Sequence, residues 1–221
     1  MTNQTCMATP GKVLSVNVGQ PREIEWLGQK ATTAIWKSPV AGRIPLLGVN
    51  LAGDGQADRL VHGGPDKAVY SYSREDEEWW EQQLGRPLEL GAFGENLTLA
   101  RVDVSGAVVG ERWEIGTALL EVAQPRVPCW KLGARMGDPD FPTRFSAAGR
   151  PGAYLRIIRE GDIGAGDEVR IAHRPAHGIT VGAAAHIYHN DRARAYLLLD
   201  IPELAEPLKR WARRILRHAK G

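Results

Sequence analysis

Cysteine is nearly absent from this chain, with only Cys6 and Cys129 among 221 residues. Four-cysteine iron–sulfur and zinc sites are therefore excluded, and a structural disulfide is not expected. Long apolar runs are missing too. No stretch approaches the length of a membrane span, and residues 1–12 hold no apolar core of a secretion signal, so a cytoplasmic chain without membrane association is expected. A charge excess of either sign is also lacking: 28 basic residues face 26 acidic ones, for a formal net charge of +2. That balance argues against binding a nucleic-acid polymer and confines any anion site to a local cluster. There is no glycine-rich nucleotide fingerprint either, so the chain carries no electron relay of its own.

What is present is glycine (25) and proline (14) against 43% hydrophobic residues, the composition of a globular protein with many turns and short strands. The length suits one substantial domain, or one with a small appendage. Residues 12–18, 22–26 and 30–37 read as short β-runs. Residues 43–54, with Pro45, Gly48 and Gly53, predict irregular and closely approached backbone. Ser73 caps a predicted helix over 75–84 that stops before Gly85; its Trp79 and Trp80 cannot share a face, and its acidic face reads as solvated. Residues 112–115 and 118–122, joined by Gly116-Thr117, form the clearest hairpin, and its second strand leads into the cysteine segment. Helical turns over 131–136 and 142–148 and strands over 153–159 and 168–172 follow. Beyond Pro175 the composition shifts to Ala, Leu and Arg, with helical runs at 181–189, 191–199 and 202–218. The expected organisation is a β-barrel domain over 1–175 and a small three-helix C-terminal subdomain over 176–221, mainly β with α.

Three segments carry candidate chemistry. In Gln124-Pro-Arg126-Val-Pro-Cys129-Trp-Lys131-Leu132, two prolines stiffen the chain around a single thiol, and Arg126 and Lys131 favour its thiolate, the form that acts as nucleophile or metal ligand. A small buried core residue is the competing reading of Cys129. In His62-Gly-Gly-Pro-Asp66-Lys67-Ala68, two glycines open the backbone to a ligand while His62, Asp66 and Lys67 supply proton-transfer and anion-binding groups; the alternative is a decorated turn. In Gly91-Ala-Phe-Gly-Glu95-Asn96-Leu-Thr98, a carboxylate beside a carboxamide either contacts a polar heterocycle or closes the turn on its own backbone. His186 and His189 share a helical face without a third metal ligand nearby, and the Arg-rich last helix reads as a solvated face.

Taken together and in this order, the three segments closely resemble the stand-alone MOSC domain proteins, over roughly residues 12–172. The helical tail resembles the extension of the subgroup linked to resistance to 6-hydroxylaminopurine. The resemblance implies a MOSC-type β-barrel that binds a molybdenum cofactor (Mo-molybdopterin), with Cys129 as the molybdenum ligand. It also implies detoxifying reduction of N-hydroxylated purines and related compounds to amines. Electrons would come from an external donor protein, a flavoprotein or a ferredoxin. Within that frame His62 is the expected proton donor, Lys67, Arg126 and Lys131 the phosphate-holding cations, and Glu95, Asn96 and Gln124 the groups that read the pterin or substrate edge. A non-catalytic cofactor carrier or sulfur-transfer module is the alternative, and metal-free thiol hydrolysis through Cys129 and His62 ranks last. A homodimer is compatible with a barrel that leaves strand edges exposed.

Overall fold

The computed structural model describes residues 10–57 and 63–218. His62 and Cys6 lie outside the described residues. Seven strands close into a barrel: β1 (Gly11–Val18), β7 (Val69–Ser73), β8 (Leu97–Ala100), β9 (Arg112–Ile115), β10 (Ala118–Pro125), β11 (Ala153–Arg159) and β13 (Glu168–His173). Their order is β13-β9-β10-β11-β7-β8-β1, and the ring is shut by Gly11 pairing antiparallel with Val169. Every pairing in the ring is antiparallel except β7 with β8. Parallel neighbours need a crossover, and here it is α1 (Arg74–Leu84) together with the loop that returns through residues 91–95.

The remaining short strands lie outside the ring. β4 (Ser38–Val40) pairs with β1 at the sheet edge, where its Pro39 removes no ladder bond from a central strand. β2 (Arg22–Trp26) and β3 (Gln29–Thr33) form a separate hairpin. β5 (Arg43–Leu47), β6 (Asn50–Leu51) and β12 (Gly161–Gly164) form a small three-stranded sheet. The glycine- and proline-bearing stretch around residues 43–54 is thus two brief strands and a turn. Its approach to neighbouring chain is close: a Cβ on Gly55 would sit 2.3 Å from the Pro21 ring.

Helix α1 forms where its ends dictate. Ser73 Oγ accepts the Asp76 amide at 3.1 Å, and Gly85 takes the left-handed conformation (φ 64°) that stops it. Trp80 is buried in the core while Trp79 sits half-exposed at the edge. The acidic face is only partly solvated: Glu75 and Glu78 are exposed, as the sequence reading expects, but two neighbours are not. Asp76 is buried against Arg150, and Glu77 is fully enclosed beside Arg74, so two carboxylates of the first turn are internal. Periodicity alone missed this because the surroundings that enclose them come from elsewhere in the chain: Arg150, the partner of Asp76, precedes β11, and Glu95 lies across the crossover from Glu77.

Two apolar clusters hold the fold. The larger fills the barrel and continues without interruption into the C-terminal helices, joining Leu97, Trp113, Leu120 and Leu155 to Val181, Ile187, Leu198, Leu208 and Trp211. The tail comprises α4 (Val181–His189), a 3₁₀ stretch (Arg192–Leu198) in place of the expected second α-helix, and α5 (Glu206–His218). The smaller cluster is aromatic: Tyr70, Tyr72, Trp80, Phe93, Phe141 and Phe145 pack with Leu132. It lies beneath α2 (Trp130–Met136) and α3 (Phe141–Ala147), and the Trp80 indole nitrogen donates to the Tyr72 hydroxyl at 3.0 Å.

Candidate functional site

Strand β10 ends at Pro125, paired with Ala153 of β11, and the chain then leaves the barrel in extended geometry to Cys129 (φ −132°, ψ 173°) before winding into α2. The amide of Leu132 closes the first turn on the Cys129 carbonyl at 2.9 Å, and Leu132 itself is buried in the aromatic cluster. The segment is therefore clamped at both ends, and the half-buried Cys129 opens onto a cleft that is partly open to solvent.

Of the residues expected from sequence, Lys67, Asn96, Arg126, Cys129 and Lys131 line this one cleft. Glu95 and Gln124 do not. Glu95 is fully buried, with one oxygen accepting the Gly91 amide (2.5 Å) and the Thr98 hydroxyl (2.9 Å) and the other the Phe93 amide (3.0 Å). Of its two sequence readings, closing the turn is the one its hydrogen bonds carry out. Gln124 is buried in β10 opposite Tyr154, and its amide nitrogen finds no hydrogen-bond partner among the described residues.

Arg126 is held on all sides. Its guanidinium donates to the Phe93 carbonyl and lies 4.8 Å from the Tyr70 ring centre and 5.9 Å from that of Phe145. Burial disfavours its charge, but Tyr70, Tyr154 and Cys129 outweigh that and raise its pKa. The two tyrosine rings lie 5.0 Å apart, tilted by 40°, and burial raises the pKa of each, keeping their hydroxyls neutral. Lys67 ends a 3₁₀ turn (Pro65–Lys67) and places its ammonium 5.8 Å from the Tyr154 ring. That turn is anchored by Asp66, which accepts Arg156 Nε at 2.6 Å, so Asp66 positions the turn instead of facing a ligand.

Lys37, Asp54, Tyr70 and Tyr154 are among the cleft residues that escaped the sequence reading. Lys37 is 8% exposed and its ammonium contacts Asp54 Oδ1. The same Asp54 oxygen accepts the Gly19 amide at 2.8 Å, and Oδ2 accepts Asn96 Nδ2 at 2.9 Å. Asn96 in turn accepts the Tyr70 amide on its own oxygen at 3.0 Å. Burial lowers the Lys37 pKa, with Asp54 opposing and Arg126 adding to the drop. Among the described lining residues the cleft thus offers four cations, Lys37, Lys67, Arg126 and Lys131, against one carboxylate. His186 and His189 lie on α4, where His186 Nδ1 meets the Asn190 amide at 3.4 Å; among the described residues no group of three or more His, Cys, Asp or Glu side chains is arranged to hold a metal.

The MOSC domain model matches residues 58–170. The chain belongs to the MOSC family. Relatives include the uncharacterized protein YflK of Bacillus subtilis, 39% identical over 179 residues and 81% of each chain, and a reductase of Gibberella moniliformis, 32% identical over 75% of this chain but only 30% of that longer protein. The crystal structure of YiiM from Geobacillus stearothermophilus superposes with a TM-score of 0.78 at 31% identity, covering 94% of this chain and all of that one. MOSC domains bind the molybdenum cofactor. The region matched by the MOSC model contains Lys67, Asn96, Arg126, Cys129 and Lys131, whereas the lining residues Thr32, Thr33, Ile35, Lys37 and Asp54 precede it.

Proposed function

We propose that this MOSC protein is a molybdenum-cofactor-dependent reductase that converts N-hydroxylated purines and related hydroxylamino compounds to amines. The observation that carries the reading is a half-buried thiol, Cys129, opening into a net cationic cleft. The donor set fits the group. A soft thiolate suits a transition metal, and Lys67, Arg126 and Lys131 suit an anionic phosphate. The reductase name of one relative supports redox chemistry. Bound there, the cofactor supplies the two-electron exchange at its metal. The chain's own residues bind, orient and protonate: Cys129 holds the metal, the three cations fix the phosphate, and Tyr70 and Tyr154 offer neutral aromatic faces against which a planar heterocycle packs. Electrons come from an external donor protein, for which the exposed Arg210, Arg213, Arg214 and Arg217 of α5 supply a basic docking face.

Elemental analysis of protein made in a cofactor-producing host tests the assignment. Wild type is expected to hold stoichiometric molybdenum and to reduce 6-hydroxylaminopurine, and Cys129→Ser to lose both while keeping its fold. Metal-free wild type, in a host shown to load a control enzyme, overturns it. Molybdenum without hydroxylamine reduction leaves the carrier or sulfur-transfer role.

A further inference from the structure

Lys37 is the cleft cation whose ion pair is fully described. Its ammonium is buried and already held by Asp54, whose two oxygens are fixed by Gly19 and Asn96. A lysine in contact with a carboxylate offers an anion little net charge, so Lys37 is a poor phosphate anchor. What a buried ammonium of this kind does well is give up a proton, because burial penalises its charged form. It lines the same cleft as the thiol, from a part of the chain that the MOSC model does not cover.

We propose that Lys37 is the proton donor to the leaving oxygen of the hydroxylamine substrate, with Asp54 and Asn96 as the positioning residues that hold its ammonium toward the cleft. The proposal rests on the reductase reading above. In the reaction R–NH–OH + 2e⁻ + 2H⁺ → R–NH₂ + H₂O, the N–O bond breaks, and the external donor protein supplies both electrons through the bound cofactor. Lys37 Nζ gives one proton to the departing oxygen, which leaves as water. The nitrogen takes the second proton, and solvent reprotonates the Lys37 amine. Around Lys37, the charges of Asp54, Glu95 and Arg126 act on it directly, and Lys67, Lys131 and Cys129 share the cleft. Asp54 and Glu95 favour the ammonium, Arg126 disfavours it, and burial is the largest influence. An acid that must be protonated to act loses activity as pH rises through its pKa. The basic limb of kcat should therefore fall below the ordinary lysine value of 10.5.

The test uses molybdenum-loaded protein and 6-hydroxylaminopurine. Lys37→Arg keeps the charge and the Asp54 contact but cannot release a proton near neutrality. It is expected to lower kcat by about 100-fold, within the range of general acid catalysis, to abolish the basic limb, and to leave KM and molybdenum content near wild type. Lys37→Ala is expected to regain turnover with added alkylamines, in step with their acidity. A readout independent of turnover is ¹⁵N NMR titration of the Lys37 ammonium in the wild-type chain, assigned by its loss in Lys37→Arg; a midpoint below those of the other lysines is expected. A Lys37→Arg protein that keeps both rate and basic limb, while wild type reduces the substrate, overturns the role of Lys37 alone. Loss of molybdenum in Lys37→Arg overturns it in favour of a cofactor anchor. Transfer of the basic limb to His62, seen as its disappearance in His62→Ala but not in Lys37→Arg, overturns it in favour of that histidine. A wild type that carries no molybdenum or reduces nothing overturns the reductase reading, and this proposal with it.

Discussion

Glu77 has no exposed surface, and one of its oxygens accepts Arg74 at 3.1 Å while its neighbour across the crossover is the buried Glu95. Burial first, and the Glu95 charge second, push its pKa up to about 10. Two carboxylates in one dry site do not both ionise, so one proton stays between them. With the folded value raised, the stabilising contribution is fully present below the unfolded value of 4.5 and is lost as pH climbs toward about 10. Glu77→Gln keeps the shape and removes the titration. It is expected to melt about 2–4 °C above wild type near pH 8.5 and within roughly 1 °C of it near pH 4, read by calorimetry. A second residue-scale outcome concerns Gly94, whose φ of 75° and 2.6 Å approach of an added Cβ to Ile35 leave no room for a side chain. Gly94→Ala is expected to cost about 1–3 kcal/mol in urea unfolding and to deform the cleft wall.

At the scale of elements, the cysteine segment depends on the aromatic cluster beneath it. Phe145 touches Tyr72, Trp80 and Phe93 and lies under the Arg126 guanidinium. Phe145→Ala is expected to destabilise by about 3–5 kcal/mol and to loosen Arg126, which equilibrium denaturation and molybdenum content check together. Elements with local signals were legible in the sequence. Ser73 and Gly85 mark α1 by capping chemistry, Gly116-Thr117 marks the β9–β10 hairpin, and the apolar run at Val181–His189 marks α4. The cysteine segment and the Lys67 and Asn96 loops were legible because their motifs are contiguous. Lys37 and Asp54 were not, since neither sits in a motif and each acquires its role only through the other and through Asn96, 42 residues on from Asp54. The one local hint was the pair of glycines flanking Asp54, a sign of close backbone approach that does not say to what. Tyr70 and Tyr154 read as ordinary strand residues for the same reason: only barrel register places them side by side.

For the whole molecule, the apolar core makes no distinction between barrel and tail. Val181, Leu208 and Trp211 belong to the same cluster as Leu120 and Leu155, and the Ala205 amide donates to the Ala123 carbonyl of β10 at 3.1 Å. A chain ended at Pro175 is therefore expected to expose this surface and to accumulate as insoluble protein, checked by sedimentation of the expressed fragment. The overall charge of +2 hides a strong local asymmetry on α5, where Arg210, Arg213, Arg214 and Arg217 are exposed and Arg213 alone of the four pairs with a carboxylate, Glu206, among the described residues. Replacing Arg210 and Arg214 with Glu is expected to raise the KM for an acidic donor protein about tenfold at low salt. Turnover driven by a small chemical reductant should not change.

The joint between Gly11 and Val169 ties the first described strand to the last strand of the ring. That last strand leaves the ribosome after the other six, so the Gly11 end of β1 goes without it through most of synthesis, while β4 is available early to the Val16–Val18 end. Pairing across so long an interval raises the contact order, which bears on folding rate more than on stability. Tyr154 and Arg126 meet in the cleft only where β10 and β11 are joined, so the chamber needs β11 as well as the earlier strands. A chain that stops short of β11 lacks one wall of this chamber, since Tyr154 belongs to that strand.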